Sequence, residues 1–262
     1  MMESTEKSPR VLVLSMAFNG YQYLFRKNIE THRRYAARHG YGYVFIHRPY
    51  LTRMLMECAW LKIPLLLCAC AKGYDYVLFL DADAAFQPKC PAILSVVEEE
   101  KSVYMVNGHS GRLNSGMIFL RCCPETIGLL TAILAHFDRK LPDEDSVGWG
   151  ENGHVIHFVK QHPSLKLLPI EWNNTKDTER ADYIRHYSDG KMRAIYGWNA
   201  GERLLANLLR IAQKLVRRVA QLFFRAERFP GALYSLLRRC VRYEPESLVL
   251  LNEEALFAGR GR

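Results

Sequence analysis

Four consecutive apolar residues, Val77-Leu78-Phe79-Leu80, run directly into Asp81-Ala82-Asp83, and this stretch constrains the fold more than any other. A short apolar run without alternation is the pattern of a strand buried on both faces. Acids at its carboxyl end stand on the edge where open α/β sheets bind ligands. With one residue between them, the two carboxylates would point to opposite faces of a continuing strand. The chain therefore has to turn here, and a turning Asp-x-Asp can aim both carboxylates at one divalent cation. Oxygen ligands beside a phosphate favour Mg²⁺ or Mn²⁺. The competing reading is a strand that ends in two solvated acids.

The flanking sequence alternates to match. Val11 to Ala17 reads as a buried strand ending in Phe18-Asn19-Gly20, followed by a helix over residues 21–39 that Gly40 stops. Tyr43-Val44-Phe45-Ile46 is a second strand, and a second helix covers residues 55–72 despite Pro64, with Gly73 ending it. Strand, helix, strand, helix, strand is a doubly wound, nucleotide-binding half-domain. No Gly-x-Gly-x-x-Gly or Walker loop follows the first strand, which argues against dinucleotide and P-loop chemistry. Further strands are expected over 102–106 and 117–120, the second introduced by Leu113-Asn114-Ser115-Gly116. Pro124 opens a helix, and Glu151 to Gln161 reads as a short one.

A chain of 262 residues is most simply one catalytic domain with an appendage, here 10–200 and 201–262. Its seven cysteines are an odd number without a Cys-x-x-Cys pair, which points to a reducing compartment and away from zinc. The polar first ten residues and the strand-length apolar run after them predict neither a signal peptide nor a spanning helix. A cytoplasmic protein is expected, peripheral on a membrane if its tail binds one.

Charge is concentrated late. The net charge is +9, and between Gly201 and Pro245 ten Lys or Arg face three Glu, so +7 of it lies there. Apolar residues recur at Leu204, Leu208, Ile211, Leu215 and Val219, with Leu205, Leu209 and Val216 widening the stripe, and cations take the other face. Such a basic amphipathic helix suits an anionic membrane surface, or packs on its own domain or on a second subunit in a homo-oligomer. Nucleic acid is not expected, because no binding motif or interleaved aromatic row accompanies the cations.

In order along the chain, Trp60-Leu61-Lys62-Ile63-Pro64, Leu80-Asp81-Ala82-Asp83-Ala84, Leu113-Asn114-Ser115-Gly116 and a late histidine strand end, His186, carry a family resemblance. Residues 10–195 resemble the GT-A-fold glycosyltransferases, in particular the retaining group of yeast-type galactosyl- and mannosyltransferases and plant xyloglucan xylosyltransferases. Glycogenin-like enzymes are more distant relatives. The resemblance implies a Rossmann-like mixed sheet flanked by helices and transfer of a hexose or pentose from a UDP- or GDP-sugar to a glycan or lipid-linked glycan. It implies Asp81, Asp83 and His186 as ligands of Mn²⁺ or Mg²⁺. The donor would lie along Ala17, Phe18, Asn19, Tyr23, Lys62, Asp81, Ala82, Asn114, Ser115 and Gly116, with Gly190 and Lys191 at its phosphates. The spacing His-x-x-x-Gly-Lys departs from the glycogenin pattern, and the usual Pro-Trp after the lysine is missing. Glu151 and Asn152 fall where relatives place an acidic or amide pair facing the donor sugar, so the catalytic set is Asp83, Glu151 and Asn152. Retention without an obvious nucleophile would proceed by front-face substitution.

Bland readings compete at several positions. Asn114 and Ser115 suit a plain turn, Tyr23 a core aromatic, Lys62 a snorkelling surface lysine and His186 a packing histidine. Aspartyl-nucleophile phosphatases also place Asp-x-Asp after an apolar strand, but no later Gly-Asp-x-x-x-Asp motif occurs here. A catalytically silent sugar-nucleotide or membrane-binding protein is the remaining alternative.

Overall fold

The computed structural model describes residues 8–52, 54, 56–147, 150–223 and 229–257. The alternation begins as expected: β1 (Val11–Met16), α1 (Tyr21–Leu24), α2 (Arg26–His39), β2 (Gly42–Ile46), α3 (Lys62–Ala71) and β3 (Tyr76–Leu80). The one helix expected over 21–39 is broken at Phe25, whose φ of −113° leaves the helical region while its ring is fully buried. Gly40 ends α2 at φ 67°, a left-handed cap that glycine adopts without a Cβ clash. Pro64 is tolerated because it stands in the first turn of α3, where its missing N–H has no partner to lose.

Past the acids come β4 (Ala84–Phe86), β5 (Val103–Asn107), β6 (Leu113–Arg121), α4 (Pro124–Ala135), α5 (Asn152–Val159), β7 (Leu165–Leu167) and β8 (Ile184–His186). The chain then turns helical in α6 (Gly190–Ala194), α7 (Ala200–Phe223), α8 (Gly231–Val241) and α9 (Glu253–Leu256). Six strands form one mixed sheet in the order β2-β1-β3-β6-β5-β7. β1 is parallel to β2 and β3, while β6 runs antiparallel to both β3 and β5. β4 and β8 make a separate antiparallel pair.

Asn114, Ser115 and Gly116 are not a turn: they lie inside β6, with Asn114 opposite Val106 and Met117 opposite Leu80. Asn, Ser and Gly have poor intrinsic strand preference, so pairing on both sides overrides a local tendency to turn. The strands alternate between two apolar layers. Leu12, Leu14, Val77 and Phe79 join one cluster with α3, whereas Val11, Val13, Leu78 and Leu80 join another with Tyr35 of α2. Covering both faces is what lets β1 and β3 be almost wholly apolar, Ser15 of β1 being a buried exception.

The late helices divide. α8 places Leu233, Leu236, Leu237, Cys240 and Val241 in the first cluster, and Leu248, Leu256 and Phe257 follow them in. α7 contributes Ala206 to a third, smaller cluster with Ala17, Phe25, Ala82 and Tyr196. Among the described residues no helix is long and apolar enough to cross a membrane. None of the seven cysteines forms a disulfide.

Candidate active site

The carboxyl ends of β1 and β3 share one edge of the sheet, and the site is built there. Asp81 donates its N–H to the Gly116 carbonyl at 2.8 Å, keeping it in register with β6, and its own carbonyl accepts from Ala84 at 3.0 Å. That second bond closes a tight turn over residues 81–84, the turn that Asp-x-Asp demanded. The turn sends Ala82 into the cluster with Ala17 and Phe25. β4 then pairs with β8 so that Ala84 lies opposite His186. One atom from each of Asp81, Asp83 and His186 thereby falls within 4.8 Å of the others.

A chain of hydrogen bonds fixes the imidazole. The Gly116 N–H donates to Asn114 Oδ1 at 3.0 Å, so that oxygen is the amide acceptor. Asn173 Nδ2 donates to the same oxygen at 2.9 Å, which turns Asn173 Oδ1 toward His186 Nδ1, also at 2.9 Å. Nδ1 must then carry the proton. Nε2 faces Asp83 Oδ1 at 3.1 Å. In a neutral imidazole those are two acceptors in contact, an arrangement that requires a proton or a cation between them. A histidine whose other N–H is held by an amide oxygen, beside two carboxylates, is a fitting donor set for a divalent metal. Gly116 is required at this point: a Cβ on it would lie 2.2 Å from His186 Cε1.

Each of the two aspartates is held by a cation. Lys62, its side chain 3% exposed, places Nζ 3.2 Å from Asp81 and 2.7 Å from Glu151. It also donates to the Ser115 carbonyl at 2.8 Å and lies over the Phe79 ring. Burial pushes the Lys62 ammonium down, but Asp81 and Glu151 pull it up further, so it stays charged. Arg193 donates to Asp83 Oδ2 at 2.7 Å and to the Ser188 carbonyl at 2.6 Å, its guanidinium resting on Phe25. Burial pushes the Asp83 carboxyl up, yet His186 and Arg193 together hold it below the usual carboxylate range. Burial also pushes Asp81 up, and with Asp83 and Glu151 nearby it ends above that range despite Lys62.

Glu151 and Asn152 lie alongside. Ser115 Oγ donates to Glu151 Oε1 at 2.7 Å, and the Ser115 N–H donates to Asn152 Oδ1 at 2.8 Å. Glu151 is buried against Lys62 and Ser115, whereas Asn152 is half-buried. Beneath the turn, His32 meets the Ala84 carbonyl through Nε2 at 2.8 Å and Ser15 Oγ through Nδ1 at 2.7 Å. Burial pushes its pKa down to about 4, so the ring is neutral, with Nε2 donating to the carbonyl and the Ser15 hydroxyl donating to Nδ1.

The other residues picked from sequence lie around this cluster. Ala17 and Phe18 are buried at the end of β1. Asn19, at φ 56°, spends its carboxamide on Thr52 and Met54: Nδ2 donates to Thr52 Oγ1 and the Met54 carbonyl, and Oδ1 accepts the Thr52 N–H at 2.8 Å. Tyr23 is half-buried on α1. Gly190 opens α6 at φ 51°, and Lys191 behind it is exposed. The cation that α6 brings to Asp83 is instead Arg193. Arg193, Asn173 and His32 were not picked out from sequence.

No protein-family profile and no curated protein sequence matches the chain. Among solved structures, it is similar to a glycosyltransferase involved in glycosylation of the major capsid of PBCV-1: TM-score 0.55 at 15% identity, over 71% of this chain and 98% of that one. It is also similar to the glycosyltransferase GlyE of Streptococcus pneumoniae TIGR4, with TM-score 0.48 at 11% identity over 82% of this chain and 64% of the other. At such identity the first likeness speaks for the fold: a mixed six-stranded sheet between helices, of GT-A type.

Proposed function

We propose that the chain is a metal-dependent glycosyltransferase that moves a sugar from a nucleoside diphosphate sugar, UDP- or GDP-linked, to a glycan or glycolipid acceptor. The observation that carries this reading is the convergence of Asp81, Asp83 and His186 within 4.8 Å, at the sheet edge where α/β folds bind ligands. The fold it shares with a solved glycosyltransferase supports the class. The ordered motifs from Trp60 to His186 favour the yeast-type and xyloglucan xylosyltransferase group within it, and with that group a retaining outcome.

Asp81, Asp83 and the Nε2 atom of His186 would hold Mn²⁺ or Mg²⁺. Such a cation offsets the negative charge that builds on a departing nucleoside diphosphate. The chain's own residues do the rest. Lys62 fixes the Asp81 carboxylate and keeps three acids at close quarters from repelling one another. Arg193, released from Asp83, turns its fork to the diphosphate, where a bidentate guanidinium is best used. Lys191 and the Gly190 backbone flank the same phosphates. Ala17, Phe18, Asn19 and Tyr23 border the nucleoside, and Ala82 seats the turn. Asn114, Ser115, Gly116 and Asn152 face the sugar, with Glu151 acting through Lys62 and Ser115. With front-face substitution, the acceptor hydroxyl passes its proton to the leaving phosphate.

Titration calorimetry of UDP and GDP, with Mn²⁺ and with chelator, tests the reading. One nucleotide should bind with Mn²⁺ present and lose at least about tenfold in affinity in Asp83→Asn. Equal affinity in chelator would remove the metal from the account.

A further inference from the structure

Helix α7 is turned inside out relative to an ordinary surface helix. Its apolar row, Leu204, Leu208, Ile211, Leu215 and Val219, is 62%, 53%, 65%, 61% and 44% exposed. The row that faces the protein is mostly small or polar, with Leu209 half-buried in it. Ala206 packs against Gly20, where an added Cβ would come within 2.8 Å of the Ala206 carbonyl. On the same side Gln213 is buried and donates to the Met54 carbonyl at 3.3 Å, and Glu202 pairs with Arg26 at 3.1 Å. Residues 202, 206, 209 and 213 follow helical spacing on one side, and residues 204, 208, 211 and 215 on the other. Hydrophobic burial alone would have rotated the helix by half a turn. A monomer rarely leaves so continuous an apolar strip in water.

Between the two rows runs a third, of charge. Arg203, Arg210, Lys214 and Arg217 lie along one edge of the apolar strip, with Arg218 beside it. Glu202 is the acid of the described helix and is tied to Arg26. Arg203 and Arg210 rest on the rings of Trp198 and Tyr21, which orients this edge.

We infer that α7 docks the protein in the plane of an anionic lipid bilayer, its apolar row entering the acyl boundary and its cationic edge lying against the headgroups. Charge decides between occupants. A second copy docked antiparallel across the same strip by a two-fold axis would bring one cationic edge against another, and one docked parallel would set that edge against Leu205 and Val216; in neither case does α7 offer a free acid to answer the cations. Anionic headgroups answer every cation and a hydrocarbon boundary answers the apolar row. The docking helix sits on α1, at the end of β1, the same sheet edge as Asp81 and Asp83. Docking is independent of the proposed chemistry. If that chemistry holds, the cleft stands close to a bilayer, where a glycolipid acceptor is displayed.

The test uses the full chain with vesicles of phosphatidylcholine alone or mixed with phosphatidylserine. Wild type should co-sediment with the mixed vesicles at low salt, ignore the neutral ones, and be released as salt rises. Leu208→Glu/Ile211→Glu should abolish binding. Lys214→Glu/Arg218→Glu should weaken it at least about tenfold for mixed vesicles, each lost attraction being worth about fivefold. All four side chains are exposed, so both variants should melt like wild type. Wild type that ignores mixed vesicles at low salt overturns the inference. So does equal binding to neutral vesicles, or a lipid-independent dimer that Leu208→Glu/Ile211→Glu splits.

Discussion

Arg193 donates to Asp83 at 2.7 Å across 110 positions of sequence, so a carboxylate oxygen of the proposed metal site already holds a cation of the protein's own. Bound Mn²⁺ and the guanidinium therefore compete for the same anionic charge. Arg193→Ala should bind Mn²⁺ alone several-fold more tightly. Its affinity for a nucleoside diphosphate in saturating Mn²⁺ should fall about tenfold, the value of one charge-assisted hydrogen bond. Weaker Mn²⁺ binding in Arg193→Ala would mean that the arginine only positions Asp83.

Gly116 and His186 make a second, independent test. A Cβ at residue 116 would lie 2.2 Å from His186 Cε1 and 2.8 Å from Asn114 Oδ1, so Gly116→Ala must push the imidazole off its Asn173 anchor. Metal affinity should drop at least about tenfold in Gly116→Ala and by a similar factor in His186→Ala. The double variant should be no worse than either, since two routes to losing one ligand do not add. Additive losses would place His186 outside the metal site.

Lys62 carries a stability prediction. It is buried between Asp81 and Glu151 at 3.2 and 2.7 Å, and removing its charge strands two carboxylates. Lys62→Met should cost about 3–5 kcal/mol by urea unfolding, the usual effect of breaking a buried ion pair from one side. A loss under about 1 kcal/mol would show that water already screens the cluster.

Much of this was legible in the chain. Apolar runs ending at Ala17 and Asp81 mark buried parallel strands, and Asp-x-Asp at such an end marks the ligand edge. What sequence could not give is long-range. Nothing local ties Arg193 to Asp83 or Asn173 to His186; the first contact follows from the pairing of β8 with β4, the second from the bridge between Asn174 and Arg185 of β8. Asn114-Ser115-Gly116 reads locally as a turn, and only its partners β3 and β5 make it a strand. Periodicity showed which residues over 204–219 share a face but not where that face points. α8 turns Leu233 and Leu237 inward, while α7 turns Leu208 and Ile211 outward.

His32 supplies a pH dependence. Its unfolded pKa is near 6.5 and burial lowers the folded value to about 4, so between those values the unfolded chain binds more protons. Stability from this group is complete above 6.5 and falls as pH drops toward 4, by about 3 kcal/mol in all. His32→Gln, which keeps a neutral donor and acceptor, should flatten the urea midpoint against pH across that window. An unchanged slope would assign the acid sensitivity to other groups.

The central claim is metal-assisted sugar transfer at Asp81, Asp83 and His186. Its most direct measurement is hydrolysis of UDP- and GDP-sugars by the full chain, with Mn²⁺ and with chelator, beside Asp83→Asn. One donor should turn over with Mn²⁺ and stop in chelator, and Asp83→Asn should be slower by at least about a hundredfold, roughly 3 kcal/mol of barrier. Turnover that survives both the chelator and Asp83→Asn would contradict it.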